Sequence, residues 1–293
     1  LHQGKKPKMK NYPILFVIFI LLCSSFYSCK KENKLPIYAT TEQIILKDIN
    51  YGKDIKQKMD IYLPAGRNIE TTKLVVMIHG GGWVSGDKSD FGINEETLKT
   101  LIQQFPDCAL INLNYRLASA NSNQFPAAEN DIKSAMQYIY KNIKSYQISN
   151  QTYILGASAG AHLAALQSLK YNENNYIKGC IAISGVYNLT SAYEQSNSEA
   201  RSFINLFLGG DPTTIPQTYG AASPVNFINV NSPKFLILHG LEDNLVPVSQ
   251  ASELKNSLEA KNVPLVYFTY SGGHGIPPEH LVEAFSYIKD FIN

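Results

Sequence analysis

The chain has 293 residues, of which 44% are hydrophobic and 17% charged. That composition excludes a disordered or fibrous protein, and the length suits one large domain or two small ones whose core needs no disulfide or metal staples. Lys and Arg number 26 against 24 Asp and Glu, and a formal net charge of +2 argues against a general nucleic-acid binder.

The charge is unevenly placed. Residues 1–28 hold Lys5, Lys6, Lys8 and Lys10 and no acid, so the remaining 22 basic and 24 acidic side chains leave a net of −2. The lysines precede an uncharged apolar run at 14–23, ILFVIFILLC. A basic flank and a short apolar run form the pattern of an export signal; a membrane-spanning helix needs about 20 apolar residues. Ser28-Cys29 followed by the polar Lys30-Lys31-Glu32 resembles a bacterial lipoprotein signal. That resemblance implies cleavage before Cys29 and a lipid anchor on its thiol, placing the protein on a bacterial envelope membrane outside the cytoplasm. A plain cleaved signal and an uncleaved anchor helix are the other readings. Met9-Lys10 looks like a natural start, which makes 1–8 an upstream extension. The expected organisation is a leader at 1–28, a tether at 29–40 and one main domain at 41–293.

In that domain, 43–49 and 56–63 favour β-formers and stop at Tyr51-Gly52 and Pro64-Ala65-Gly66. Continuous apolar runs follow at 74–78, 108–113, 152–155, 179–183 and 235–238, with another at 263–270. Such runs predict strands buried on both faces of a parallel sheet. Cys108 and Cys180 lie in two of them and read as buried free thiols. Helical spacing appears at Ala128, Ile132, Ala135 and Ile139, and at 161–169. It returns at Ala251, Leu254 and Leu258 after a Ser249 N-cap, and at Leu281, Phe285, Ile288 and Ile292 after Pro277-Pro278. The alternation predicts a doubly wound α/β domain with helices on both faces of about eight strands. Residues 186–232, rich in Asn, Ser, Thr, Tyr and Pro, read as an insertion over the sheet.

Two glycine motifs carry chemistry. Gly156-Ala157-Ser158-Ala159-Gly160 is a G-x-S-x-G between a strand and a helix. There a serine sits on a strained turn with its hydroxyl exposed, and the helix N-terminus faces developing negative charge. His79-Gly80-Gly81-Gly82-Trp83 ends another strand, and chance yields only ~0.002 His-Gly-Gly-Gly strings per such chain. Consecutive glycines let backbone amides approach an oxyanion.

A serine nucleophile needs a base. His2 is in the leader, His79 braces its loop, His162 packs beside the serine turn, His239 supports a strand end and His280 sits in the final helix. His274 lies in Ser271-Gly272-Gly273-His274-Gly275, beyond a strand's carboxyl end, and is the candidate base. Asp243 is the preferred acid partner, with Glu242 the fallback. The order Ser158, Asp243, His274 matches α/β-hydrolases.

HGGGWVSGDK from His79, NYRL from Asn114, FPAAENDI from Phe125, GASAGAHLA from Gly156, SGVYNLT from Ser184, FLGG from Phe207, ASPVNFI from Ala222 and HGLEDNLVP from His239 run in order across roughly 56–290. Together they resemble the carboxylesterase/lipase branch of the α/β-hydrolases related to hormone-sensitive lipase. The bacterial feruloyl/acetyl-esterase-like and kynurenine-formamidase-like enzymes are the nearest type. The resemblance implies Ser158 as nucleophile, Asp243 as acid, His274 as base, and the amides of Gly81, Gly82 and Ala159 as oxyanion hole. It implies no cofactor and no metal, and a small-molecule or glycan ester as substrate. Trp83 is a candidate substrate contact, with core packing an equal reading. Phe203–Leu208 is a candidate acyl wall, and Asp87, Tyr115 and Arg116 are candidate braces of the glycine loop. An arylformamidase or peptidase-like amide hydrolase is the alternative enzyme, and a hydrolase-fold binding protein the alternative without catalysis.

Overall fold

The apolar runs become strands of one eight-stranded sheet. They are β1 (Ile44–Asn50), β2 (Lys58–Leu63), β3 (Lys73–Ile78), β4 (Cys108–Leu113), β5 (Thr152–Ala157), β6 (Ile177–Ile183), β7 (Lys234–Gly240) and β8 (Leu265–Tyr270). The structure is a computed structural model and describes residues 1, 4, 35–91 and 103–293. The predicted leader (apart from positions 1 and 4), Cys29 and the tether as far as residue 34 lie outside the described residues. Among the described residues no helix is long and apolar enough to cross a membrane.

The sheet order is β1-β2-β4-β3-β5-β6-β7-β8. β1 and β2 enter antiparallel, and every pair from β4 onward is parallel. β4 is buried at all six positions, and β3 and β7 at all but the first, as parallel strands covered on both faces require. β1, at the edge, alternates between half-buried and exposed positions. The chain goes from β3 outward to β4, then returns to β5 on the other side of β3. The strand order therefore reverses beside β3, and such a reversal opens a crevice at the carboxyl ends.

Among the described residues the α-helices of known extent are α1 (Ala127–Tyr146), α2 (Ala159–Lys170), α3 (Leu189–Gln195), α4 (Ser198–Leu208), α5 (Pro216–Ala222), α6 (Ser249–Glu259) and α7 (Leu281–Ile292). Side chains alternate across the sheet. Val75, Met77, Leu155, Ile181, Ile183, Leu236 and Leu238 share one cluster with Ala284, Ile288, Phe291 and Ile292 of α7. α2 packs along β3, β5 and β6 and is buried from Ala159 to Leu169. A helix apolar all round belongs in an interior. The Cys108 and Cys180 thiols are buried, and burial pushes them up to about 11 and about 12, which keeps them protonated and inert.

Three readings change, at the end of the tether, at Ser249 and at His280. The packed unit begins at Ile37, so the last predicted tether residues belong to it: Tyr38 N donates to Ser145 O and Gly66 N to Thr40 O. Ser249 is the first residue of α6, preceded by Val248 without a side-chain cap. His280 closes a 3-10 turn, Pro278–His280, just before α7. The insertion over 186–232 contains α3, α4 and α5. Asn188 caps α3 by accepting from the Thr190 and Ser191 amides, and Asn197 caps α4 by accepting from Ala200. Each such cap stabilises its helix by about 1 kcal/mol.

Candidate active site

Ser158 leaves β5 with φ +55° and ψ −122° and starts α2. A non-glycine residue held there is strained, and its surroundings must impose the conformation. Two crowded glycines do so. A Cβ on Gly156 would stand 2.2 Å from Gly160 O, and one on Gly160 would stand 2.0 Å from Ile78 O. The serine amide donates to Ile183 O at 2.8 Å, and its carbonyl accepts from Ala161 and His162 inside the helix. The Ala159 amide is left at the helix N-terminus, where unpaired N–H groups favour negative charge.

β3 pairs with β5 so that Ile78 lies beside Gly156, which brings the next residues of β3 against the serine turn. Gly80 O accepts from His79 Nδ1 at 2.8 Å and from Tyr115 OH at 3.2 Å. Gly81 O accepts from Val84 N, Ser85 N and Ser85 Oγ. In a trans peptide the N–H points opposite to its carbonyl. The Gly81 and Gly82 amides are thereby turned the other way. Gly81, Gly82, Ser158 and Ala159 all line one cavity of about 350 Å³.

Tyr115 also stacks on His79 with ring centroids 4.3 Å apart, so it braces the loop from below. Asp87 accepts from Asn114 Nδ2 at 2.8 Å, tying the far end of the loop to β4's exit. Arg116 braces nothing in the loop; its guanidinium lies on Asp131 at 2.6 Å.

His274 lines the same cavity. Its Nδ1 is 2.8 Å from Asp243 Oδ2. Asp243 Oδ1 accepts from the Leu245 and Val246 amides at 3.0 and 2.8 Å. Burial alone would raise the Asp243 pKa. Hydrogen bonds from His239, His274 and Val246 outweigh it and hold the carboxyl well below the usual range. The group is therefore an anion that only accepts, so Nδ1 of His274 carries the proton and Nε2 is free to take one. Glu242 does not reach His274; its carboxylate accepts the amide of Gly272 in the same loop.

Trp83 borders the cavity but is 3% exposed. Its indole stacks on Phe207 at 4.4 Å and its Nε1 donates to His162, so packing takes up the ring and leaves no open platform for a substrate. The acyl-wall reading divides in the same way. Phe203 and Ile204 line the cavity, and Phe207 is core. Among the described residues no group of three or more His, Cys, Asp or Glu could hold a metal ion.

Residues 59–258 match the family model BD-FAE. The chain belongs to the BD-FAE family. The esterase LipC of Mycobacterium tuberculosis is 27% identical over 240 residues, covering 77% of this chain and 58% of that protein. The chain spans little more than half the length of that relative and of the carboxylic ester hydrolase LipM, at 58% and 53%. The kynurenine formamidase of Meyerozyma guilliermondii is 28% identical over 235 residues, covering 74% of this chain and 82% of that one. The solved structure of a truncated carbohydrate esterase from gut microbiota superposes with a TM-score of 0.74 at 23% identity, covering 88% of this chain and 98% of that one. The fold is that of the α/β-hydrolases.

Two residues of the HGLEDNLVP stretch of this BD-FAE chain, His239 and Glu242, make contacts that the motif itself does not specify. His239 Nε2 donates to Val246 O at 2.9 Å and lies 3.3 Å from Asp243 Oδ2, so it supports the acid as well as the turn. Its position at the end of β7, four residues before Asp243, was the available signal. Glu242 as a clamp on the histidine loop has no counterpart in spacing.

Proposed function

We propose that this BD-FAE protein is a serine carboxylic-ester hydrolase. The observation that carries the reading is His274, held at Nδ1 by the buried Asp243 and bordering the cavity that Ser158 also borders. Ser158 Oγ attacks the ester carbonyl as His274 Nε2 takes its proton. The oxyanion is received by the amides of Gly81, Gly82 and Ala159. His274 then protonates the leaving alcohol, and water activated by the same nitrogen releases the acid from the acyl-serine. Ser158→Ala and His274→Ala should each lower kcat on a small acetate ester by several orders of magnitude, and unchanged turnover in Ser158→Ala would refute the assignment.

The substrate class is part of the proposal. A cavity of this volume with mostly apolar walls suits a small acyl group, and the carbohydrate-esterase neighbour favours acyl groups carried on glycans. Rates on acetylated and feruloylated oligosaccharides against a simple acyl-chain series test it. Formamide hydrolysis is the second reading, because the kynurenine formamidase relative is matched over 82% of its length. Side-by-side rates on an aryl formamide and its matched ester separate the two.

We further propose lipid anchoring at Cys29 outside the cytoplasm, supported by the basic flank, the apolar run and Ser28-Cys29. Incorporation of labelled fatty acid that is lost in Cys29→Ala is the expected outcome.

A further inference from the structure

The proposed base sits in a segment with little stiffness of its own. His274 is flanked by Gly272, Gly273 and Gly275, and glycine is the residue whose backbone is least restricted. One side-chain hydrogen bond to Asp243 fixes the ring but not the loop that carries it. Something else must hold the backbone.

Two buried hydroxyls meet the residue after the base. The Gly275 amide donates to Ser184 Oγ at 3.3 Å. The Tyr270 hydroxyl donates to Gly275 O at 3.1 Å. The two bonds take up the backbone donor and the backbone acceptor of one glycine. Both peptide groups flanking the Gly275 Cα are held, and the first of them is the His274–Gly275 peptide itself. Ser184 and Tyr270 are 1% and 2% exposed, so water does not compete for these bonds.

Ser184 is placed for this at a local cost. It leaves β6 with φ +50°, a left-handed conformation unfavourable for a serine, and its amide donates to Leu238 O at 2.9 Å on the neighbouring strand. Strain of this kind persists where the surroundings impose it, often at working sites. Ser184 also borders the reactive cavity, on the side where His274 stands. Nothing in the serine-turn chemistry or the glycine loop requires a hydroxyl here.

We propose that Ser184 and Tyr270 are positioning residues: their two hydrogen bonds to Gly275 aim His274 at Ser158. The proposal rests on the hydrolase reading. It concerns geometry in the transition state, so removing either hydroxyl should lower kcat and leave KM nearly unchanged. A misplacement of the base by about 1 Å costs up to about 100-fold.

The test compares Ser184→Ala, Tyr270→Phe and the double variant with the wild type on a small acetate ester. Active sites are titrated with a fluorophosphonate so that rates refer to folded, competent enzyme. We expect each single variant to lose ~10- to 100-fold in kcat with KM within about twofold, and labelling of Ser158 to slow in parallel. Because both hydroxyls hold one residue, the double variant should lose less than the product of the two single losses. Unchanged kcat per titrated site in both single variants would overturn the proposal. So would a loss that titration accounts for entirely, which marks a structural role, or losses that multiply in the double variant. A wild type that neither turns over an ester nor is labelled would instead refute the hydrolase reading, and the proposal with it.

Discussion

Trp83 donates its indole N–H to Nδ1 of His162 across 3.1 Å. An indole only donates, so Nδ1 accepts and the ring proton lies on Nε2, which donates to Ala222 O at 2.7 Å. One neutral histidine thus joins the glycine loop, the serine helix and the end of α5 in the insertion. Burial lowers the His162 pKa to about 4.

A lowered histidine pKa makes the fold acid-sensitive in a defined window. Between pH 6.5 and about 4 the unfolded chain takes up a proton that the folded chain refuses. The contribution is fully present above pH 6.5 and is lost as pH falls toward 4. Its size is about 3 kcal/mol. Thermal midpoints measured from pH 7 to 4.5 should fall steadily, and a midpoint that holds or rises on acidification would contradict this assignment.

Asp243 and Glu242 are adjacent acids with different duties. Asp243→Asn removes the anion that sets the His274 tautomer and should cost about 10³- to 10⁴-fold in kcat. Glu242→Gln keeps an oxygen that can accept the Gly272 amide, so its loss should stay within about tenfold. Kinetics of the two variants on one ester decide the matter, and the reverse order would transfer the acid's role to Glu242.

Gly81 and Gly82 have φ of +96° and +59°. A Cβ on Gly81 would stand 2.2 Å from Ser85 O, and one on Gly82 would stand 2.9 Å from Phe203 Cγ. Alanine at either position must reorient the peptides whose amides face the cavity. Loss of one oxyanion donor costs about 10²- to 10³-fold in kcat. Gly81→Ala and Gly82→Ala should show that loss with KM little changed. Near-wild-type turnover in both would place the oxyanion donors elsewhere.

The sheet was legible because parallel strands covered on both faces must be apolar throughout, and β3, β4 and β7 fit that rule nearly residue for residue. Ser158 and His274 were legible because each stands in a glycine-rich turn at a strand's carboxyl end. Asp243 is preferred over Glu242 on the family's pattern, while their spacing alone leaves both available. The fold separates them: Asp243 meets the His274 ring and accepts the Leu245 and Val246 amides, whereas Glu242 takes the Gly272 amide. The helices of the insertion were hidden by their own caps. Asn188 and Asn197 look like loop formers in an Asn- and Ser-rich stretch, yet each starts a helix. Ser184 opens the SGVYNLT stretch, but its contact with Gly275 spans 91 positions of sequence, which no local pattern shows.

Activation of Ser158 as a nucleophile by His274 is the step on which the proposed mechanism depends. Peptide mass spectrometry after exposure of the folded protein to an alkyl fluorophosphonate reads this directly. The serine oxygen displaces fluoride and keeps the phosphonyl group. The predicted result is one phosphonyl adduct on the peptide containing Ser158, formed in the wild type, abolished in Ser158→Ala and strongly slowed in His274→Ala. An adduct on another residue, or none on protein shown to be folded, would contradict the account.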